Sequence, residues 1–305
     1  MKIVIIGSGN WGKTLSYLLE INGHEASFLS ARNQELSESL VRGTSEANLI
    51  ISAVSMAGVR PTVNQLVALN LPKNSILVTA TKGLDPATTN TASQIWQEAL
   101  PNNPLVVLSG PNLSAEISQG LPAASVAASH DREAAKVVQQ EFSSPKFRVY
   151  TNSDPLGVEL GGTLKNVMAI ASGACDGLQL GTNAKAALLT RGLAEMIRIG
   201  IDWGAQAETF YGLSGLGDLL ATCNSPLSRN YQVGYGLAQG KSLPKILQEI
   251  GSTAEGVNTT SVLAQRGENK GIYLPISYQV QRLLNNEITP QAAVAALMLR
   301  DTKPE

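Results

Sequence analysis

The sequence predicts an α/β protein in which a sheet-containing first domain, residues 1–152, precedes an all-helical second domain, residues 153–305. Short apolar runs alternate with helical patterns over the first half, and strands that alternate with helices form mostly parallel sheets covered on both faces. From Asn152 onward the strand signal fades and helical patterns remain. A chain of 305 residues is also longer than chains that usually fold around one hydrophobic core, which favours two domains.

Apolar runs of strand length occur at seven places in the first half. The predicted strands are Ile3–Ile6, Ala26–Leu29, Leu49–Val54, Ile76–Ala80, Leu105–Leu108, Ser125–Ala127 and Arg148–Tyr150. Between them, apolar residues follow the i, i+4, i+7, i+8 spacing of one helix face, as Trp11, Leu15, Leu18 and Leu19 do. The pattern allows the last strands to run antiparallel and does not decide their direction.

Helical patterns fill the second half. Pro155 can begin a long helix that continues through Val167 to Ala171, since proline is well tolerated in a first helical turn. Further predicted helices are Leu188–Trp203, Leu243–Ile250, Thr259–Arg266, Ser277–Asn285 and Pro290–Leu299. Because no low-complexity linker separates the halves, we expect the two domains to share a large interface.

Charge and hydropathy exclude several classes of partner. The formal net charge is −1 and the chain has no Lys/Arg-rich run, so it lacks the electrostatic footprint of a protein that binds nucleic acid or an anionic membrane. No apolar stretch approaches the roughly 20 residues that span a bilayer. We therefore expect no nucleic acid partner and no membrane span.

Cysteine and histidine usage narrows the compartment and the chemistry. Cys175 and Cys223 cannot form a disulfide framework, and the short apolar run before Gly7 leaves no room for a signal peptide, so we expect a cytoplasmic protein. Neither His24 nor His130 has neighbours at metal-ligand spacing, so we expect no metal site. Acid–base chemistry would then fall to lysine or a carboxylate.

The segment Gly7-Ser8-Gly9-Asn10-Trp11-Gly12 matches the G-x-G-x-x-G fingerprint of dinucleotide-binding sites. A strand precedes it and an amphipathic helix follows it, which is the context that the fingerprint requires. Glycine permits the tight turn and the close approach of a pyrophosphate to the helix N-terminus. The segment therefore predicts a Rossmann-type doubly wound sheet, the alternative being a glycine-rich turn without a ligand.

The end of the second strand bears on the coenzyme. An NAD-preferring site usually has Asp or Glu at this tip, whereas this strand continues as Ser30-Ala31-Arg32. A guanidinium can bind the 2′-phosphate that a carboxylate would repel. We predict that NADP(H) is preferred, with NAD(H) possible. Arg32 as an ordinary surface residue, with Glu35 close by, is the alternative.

Two lysines lie at positions where a lysine without a functional role is uncommon. Lys82 comes just past the end of a buried strand, where open α/β sheets bind ligands, and Ser109-Gly110-Pro111-Asn112 follows the next strand. Lys165 lies in a helix of mostly small and apolar residues that also carries Glu159 and Asn166. Burial would lower the pKa of Lys165 and suit it to proton transfer. A solvated loop lysine and a lysine extending from a helix edge are the alternatives.

Polar groups also follow a later glycine-rich turn. The turn brings Asp218 to a helix start, where a carboxylate can serve as a cap. Ser228-Arg229-Asn230 offers guanidinium, hydroxyl and amide groups that suit a phosphate oxyanion.

Several segments in order carry a resemblance to a known family. They are GSGNWG, ATKGL, LSGPN, FRVYTNSDPLGVELGGTLKN, NAKAALLTRGLAEM, GLSGLGDLLATC, SRN and AEGV. With them the sequence resembles the bacterial NAD(P)-dependent glycerol-3-phosphate dehydrogenase family. The resemblance implies reduction of dihydroxyacetone phosphate to sn-glycerol 3-phosphate, which supplies phospholipid synthesis, and a homodimer.

The resemblance also implies roles for individual residues. Lys165 would be the proton donor and acceptor, and Lys82 would hold the substrate and touch the cofactor. The reacting centre would be completed by Asp218, Asn166 and Thr222. Substrate would be bound by Lys82, Gly110, Asn112, Lys165, Asp218, Ser228, Arg229 and Asn230. The dinucleotide would be bound by Gly7, Gly9, Asn10, Trp11, Gly12, Ser30, Arg32, Lys82, Ser114, Arg229 and Glu255.

The sequence departs from the family pattern between Arg32 and Asn48, which is shorter than expected, and at Asn112 and Ser114, where the family more often has Ser or Thr and Ala. Two other functions stay open. One is a related 3-hydroxyacid or sugar-acid dehydrogenase, which could also use a Lys-Asn pair on a helix. The other is a non-catalytic NADPH-sensing module, for which retaining Lys82, Lys165 and Asp218 together is unnecessary.

Overall fold

Seven strands form one sheet in the computed structural model, which describes residues 1–29, 38–69, 71–251 and 253–302. The strands are β1 Ile3–Ile6, β2 Ala26–Leu29, β3 Leu49–Ser52, β4 Ile76–Thr79, β5 Leu105–Ser109, β6 Ala123–Ala128 and β7 Phe147–Asn152. Their order across the sheet is β2-β1-β3-β4-β5-β6-β7. All neighbours pair in parallel except β5 and β6, which are antiparallel.

The predicted fold class is confirmed, and the structure decides the direction of the last strands. Every residue of β1 and β3 is buried, as expected for central parallel strands with helices on both faces. The sixth strand is longer than the predicted Ser125–Ala127. Alanine is a weak strand former, so the sequence pattern underestimates the length of this alanine-rich strand.

Helices cover the sheet and build the second half. Those between strands are α1 Asn10–Ile21, α2 Glu38–Thr44, α3 Met56–Val67, α4 Ala92–Ala99, α5 Ser114–Ser118 and α6 Arg132–Phe142. After β7 come α7 Pro155–Gly177, α8 Gly181–Trp203, α9 Asp218–Cys223, α10 Arg229–Ala238, α11 Leu243–Ile250, α12 Glu255–Lys270, α13 Pro275–Leu284 and α14 Pro290–Met298. No helix of the described ranges is long and apolar enough to cross a bilayer.

The long helix α7 is the centre of the second half, and it packs against α8, α9, α10 and α12. It continues past the predicted end at Ala171 to Gly177, and α10 was not predicted at all. Glycine accounts for both differences. A Cβ on Gly173 would lie 2.0 Å from the carbonyl oxygen of Tyr231, and a Cβ on Gly234 would lie 1.8 Å from that of Ile170. Close backbone packing between α7 and α10 therefore offsets the poor helix propensity of glycine.

The two halves of the chain are in direct contact. Leu84, which follows β4, is buried in the hydrophobic core formed by α7 and its neighbouring helices. The carboxylate of Glu159 on α7 accepts hydrogen bonds from Ser93 at the start of α4. At the junction, Asp154 caps α7 by accepting from the backbone N–H of Gly157 at 2.9 Å.

Candidate active site

The glycine-rich turn lies between β1 and α1. Gly7 has φ +114°, and a Cβ there would lie 2.6 Å from the carbonyl oxygen of Ala53. A Cβ on Gly12 would lie 2.0 Å from the carbonyl oxygen of Gly7. These two positions therefore require glycine for the turn itself and for the packing of α1 on the sheet.

Gly9 differs from the other two glycines of the turn, because a Cβ on Gly9 would meet no described atom within 4 Å. It is exposed, it precedes the first residue of α1, and no side chain of the described residues caps that end of the helix. The turn therefore presents free N–H donors and open space, and this cradle fits a pyrophosphate.

Other residues predicted to bind the dinucleotide lie near this edge of the sheet or beyond it. Asn10 is exposed, and Trp11 packs against the sheet core with part of its side chain accessible. Ser114 begins α5, which packs against α1. Ser30 and Arg32 lie outside the described residues.

Lys82 follows β4 and reaches across to the helical half. Its Nζ donates to Oδ2 of Asp218 at 2.6 Å and to the carbonyl oxygen of Gly110 at 3.1 Å. Gly110 comes directly after β5, so the ends of two neighbouring strands meet at this amine. Lys82 is not a solvated loop lysine, because its ammonium is held by a buried carboxylate.

Lys165 lies on α7 and is buried. Its Nζ is 3.1 Å from Oδ1 of Asp218 and donates to Oγ1 of Thr222 at 2.5 Å. Burial lowers the pKa of Lys165 to about 8, and the nearby charge of Lys82 adds to this, while Asp218 acts in the opposite direction. A lysine with this pKa can both give and take a proton near neutral pH.

Asp218 is the first residue of α9 and joins the two lysines. Burial raises the pKa of its carboxyl, but the ammonium groups of Lys165 and Lys82 more than offset this, and the pKa lies below its usual value. The carboxylate also accepts from the hydroxyl of Thr222 at 3.1 Å. Two amines share a single carboxylate, so this group of side chains has an excess of positive charge. Such a group can bind an anion or stabilise an oxygen that becomes negative during a reaction.

The start of α12 lies beside this centre. The Oδ1 of Asn230 accepts from the backbone N–H of Gly256 at 2.9 Å, and a Cβ on Gly256 would lie 2.7 Å from the carbonyl oxygen of Asn166. Glu255 accepts from the backbone N–H of Met56 at 3.4 Å. Burial raises the pKa of Glu255, and the charge of Arg229 opposes that shift.

The segment Ser228-Arg229-Asn230 forms the start of α10. Ser228 is the N-cap, and its Oγ accepts from the backbone N–H of Tyr231 at 3.3 Å. Ser228 and Asn230 are buried, whereas Arg229 is exposed. Asn112, near the end of β5, is held by Ser125 Oγ at 3.1 Å and by the carbonyl oxygen of Ala124 at 3.3 Å.

Comparisons with known proteins match both halves of the chain. A model described as the C-terminus of NAD-dependent glycerol-3-phosphate dehydrogenase matches residues 154–295, and the corresponding N-terminus model matches residues 31–135. A protein of Trichormus variabilis called glycerol-3-phosphate dehydrogenase [NAD(P)+] is 61% identical over 99% of this chain and 98% of its own length. This chain belongs to the glycerol-3-phosphate dehydrogenase family.

Other members of the family agree along the whole chain. The glycerol-3-phosphate dehydrogenase [NAD(P)+] of Synechocystis is 58% identical over 100% of this chain and 95% of its own length. The crystal structure of glycerol-3-phosphate dehydrogenase from Coxiella burnetii aligns with a TM-score of 0.90 at 32% identity and covers 98% of each chain. The resemblance predicted from the sequence motifs is therefore confirmed.

In this member of the family, the structure adds residues that the sequence analysis missed. A Cβ on Gly162 would lie 2.3 Å from Oγ of Ser109 and 3.3 Å from Cε of Lys82, so the lysine side chain lies directly over this glycine. The next residue, Thr163, is buried and accepts from the backbone N–H of Gly83 at 3.1 Å. The only signal in the sequence was the pair Gly161-Gly162 just before Lys165, since paired glycines in a buried helix indicate close approach of another segment.

Proposed function

We propose that this chain reduces dihydroxyacetone phosphate to sn-glycerol 3-phosphate, reversibly, with a nicotinamide coenzyme and with Lys165 as proton donor and acceptor. The observation that carries this proposal is the contact of Lys82 and Lys165 with opposite oxygens of the buried Asp218 carboxylate. The names of its relatives state glycerol-3-phosphate dehydrogenase activity for those proteins. The product would supply phospholipid synthesis.

The glycine-rich turn supports a dinucleotide because Gly9 leaves open space at the uncapped start of α1. The nicotinamide coenzyme, when bound, supplies the hydride. The residues that we propose for holding it are Gly7, Gly9, Asn10, Trp11, Gly12, Ser30, Arg32, Lys82, Ser114, Arg229 and Glu255.

In the reduction, the carbonyl carbon gains a hydride and the π electron pair becomes a lone pair on oxygen. Lys165 Nζ then gives a proton to that oxygen and becomes a neutral amine, which a pKa of about 8 allows. Lys82 and Asn166 stabilise the negative charge while it develops. Asp218 and Thr222 hold the Lys165 amine in place through the contacts described above. In the oxidation, the neutral amine takes the hydroxyl proton.

The substrate phosphate requires a second positive group. We propose that Arg229 binds it with charge-assisted hydrogen bonds, because this guanidinium is exposed at the start of α10. Binding energy at this remote group would orient the carbonyl for reaction. The further substrate contacts that we propose are Gly110, Asn112, Ser228 and Asn230.

NADP(H) is the preferred coenzyme in this proposal, with NAD(H) also used. The support is the sequence Ser30-Ala31-Arg32, in which an arginine and no aspartate or glutamate follows the second strand. The relatives' names include both coenzymes for those proteins.

The proposal also includes the setting of the enzyme. We place it in the cytoplasm as a homodimer, with a coenzyme domain of residues 1–152 and a helical catalytic domain of residues 153–305. Two buried, free thiols, Cys175 and Cys223, fit a reducing compartment. The change from strands to helices between Asn152 and Pro155 supports the domain division.

The decisive test is an absorbance assay of coenzyme oxidation with dihydroxyacetone phosphate, run with NADPH and with NADH. We expect turnover with both and a larger kcat/KM with NADPH. Equal kcat/KM values with the two coenzymes would contradict only the proposed preference for NADPH. Turnover with keto acids but not with dihydroxyacetone phosphate would replace the proposed substrate, and binding of NADPH without any turnover would replace the enzyme by a sensing module.

A further inference from the structure

The loop that carries Lys82 closes on itself. We define the Lys82 loop as residues 82–91, between β4 and α4. Leu84 and Thr91 form an isolated antiparallel bridge, and the backbone N–H of Asp85 donates to the carbonyl oxygen of Asn90 at 2.9 Å. The two ends of the loop are therefore adjacent, and a constraint on Thr91 or its neighbours also constrains Lys82.

One face of α7 lies against this loop. Glu159, Gly162 and Thr163 are spaced i, i+3, i+4 and so share a side of the helix. Thr163 accepts from the backbone N–H of Gly83, and Gly162 lies beneath the Lys82 side chain. These contacts hold the first end of the loop.

Glu159 holds the second end. Its Oε1 accepts from the backbone N–H of Ser93 at 2.9 Å, and its Oε2 accepts from the hydroxyl of the same residue. The Ser93 hydroxyl is also 3.1 Å from Oγ1 of Thr91, the N-cap of α4. Glu159 is 1% exposed, and burial raises the pKa of its carboxyl group. Burying a carboxyl group between the two halves of the chain costs free energy unless its hydrogen bonds are made. The contact of Glu159 therefore depends on Ser93 being in this position.

We infer that Glu159 is a positioning residue, which fixes the Lys82 loop on α7 and so keeps the Lys82 amine on Asp218 beside Lys165. Glu159 and Lys165 lie on the same helix, six positions apart, so they are separated by a rigid rise of about 9 Å. The Lys82 loop and the proton donor are therefore both positioned by the same helix, α7. The inference rests on the proposed function.

The chain offers a matched control. Glu195 on α8 is also a buried carboxyl group, and it accepts from the backbone N–H groups of Ile276 and Ser277, at 2.6 and 3.0 Å, at the start of α13. Burial raises the pKa of Glu195 as well. Glu195 therefore has the same structural task as Glu159, but its hydrogen bonds join two helices of the second half and not the Lys82 loop.

The experiment compares Glu159→Leu, Glu159→Gln and Glu195→Leu in the full chain by thermal unfolding and by steady-state kinetics with dihydroxyacetone phosphate and NADPH. We expect both leucine variants to lower Tm. We expect kcat to fall about tenfold or more in Glu159→Leu alone, with Glu159→Gln restoring most of it because one acceptor oxygen remains. Ser93→Ala, which trims the same contact from the other side, should lower kcat in the same direction.

The pH profile separates positioning from plain destabilisation. The charged or titratable groups that act on Lys165 are Asp218, Cys223 and Lys82, and the charge of Lys82 lowers its pKa. If the Lys82 loop moves away, the pKa of Lys165 rises, and the alkaline fall in kcat/KM moves to higher pH in Glu159→Leu but not in Glu195→Leu.

Each outcome separates the two proposals. A wild-type protein without activity toward dihydroxyacetone phosphate overturns the proposed function. An active wild type with equal kcat and equal pH profiles in the two leucine variants overturns the inference about Glu159 alone. Where Glu159→Leu does not fold, Ser93→Ala decides, and a wild-type kcat together with a wild-type pH profile in that variant overturns the inference.

Discussion

The Nζ of Lys165 lies 3.1 Å from Oδ1 of Asp218, a carboxylate whose other oxygen accepts from a second lysine. Both partners are buried, and neither carries its ordinary pKa. Because burial acts against the charged amine while the carboxylate acts for it, Lys165 remains able to change its protonation state near neutral pH.

The two directions of the reaction should depend on pH in opposite ways. The reduction needs the protonated amine of Lys165, so kcat/KM for dihydroxyacetone phosphate should fall as pH rises through about 8. The oxidation needs the neutral amine, so kcat/KM for sn-glycerol 3-phosphate should rise over the same interval. Initial rates from about pH 6 to about pH 10 in each direction provide the measurement. Parallel profiles in the two directions would contradict Lys165 as the titrating group.

Removing the amine of Lys165 should lower kcat strongly while leaving the fold intact. Lys165→Met keeps an unbranched apolar chain in a buried position, and kcat should fall about 100-fold to 10,000-fold, the usual contribution of a general acid. Coenzyme binding, followed by NADPH fluorescence, should stay near the wild-type value because Lys165 is not among the residues that we propose for holding the dinucleotide. Turnover close to that of the wild type would exclude Lys165 as the proton donor.

The cradle at Gly9 can be tested without disturbing the fold. Gly9 has φ −70° and open space where a Cβ would be, so alanine fits the backbone, and Gly9→Ala should unfold at the wild-type temperature. The added methyl group lies where we propose that the pyrophosphate approaches, so Kd for NADPH should rise about tenfold or more. Unchanged affinity would show that the dinucleotide does not approach the helix at this point.

Arg229 should discriminate between a phosphorylated substrate and its unphosphorylated analogue. A hydrogen bond to a charged group contributes about 1.5–3 kcal/mol, so loss of two such bonds in Arg229→Met should lower kcat/KM for dihydroxyacetone phosphate by about 100-fold or more. Dihydroxyacetone itself has no phosphate, so its slow reduction should fall much less in Arg229→Met, by only as much as Arg229 contributes to holding the coenzyme. An equal loss with both substrates would contradict the contact of Arg229 with the substrate phosphate and leave only its contact with the coenzyme.

The sequence predicted the sheet well because its strands are buried runs of branched apolar residues, such as Ile3–Ile6 and Leu49–Ser52, whose signal is local. It failed to predict α10, whose Gly234 and Gly236 lower helix propensity and whose stability comes from packing on α7. For such a segment, tertiary contacts override the local preference.

The candidate site divides in the same way. Lys82 is indicated by its place after a buried strand, Lys165 by the small and apolar residues of its helix, and Asp218 by the glycine-rich turn before it. The motifs that contain them also resemble a known family. The partners of Glu159 and Thr163 could not be predicted, because a hydrogen bond between residues far apart in the chain leaves no periodic pattern. Only the folded arrangement brings Ser93 and Gly83 to that face of α7.

The burial of Leu84 among the helices of the second half has a consequence for heat denaturation. When those helices separate, this leucine enters water, and the Lys82 loop, to which it belongs, loses its support. The sheet half therefore cannot keep its catalytic edge once the helical half has melted. We expect a single calorimetric transition whose van't Hoff and calorimetric enthalpies agree, although the chain is twice the size of most proteins that behave in this way.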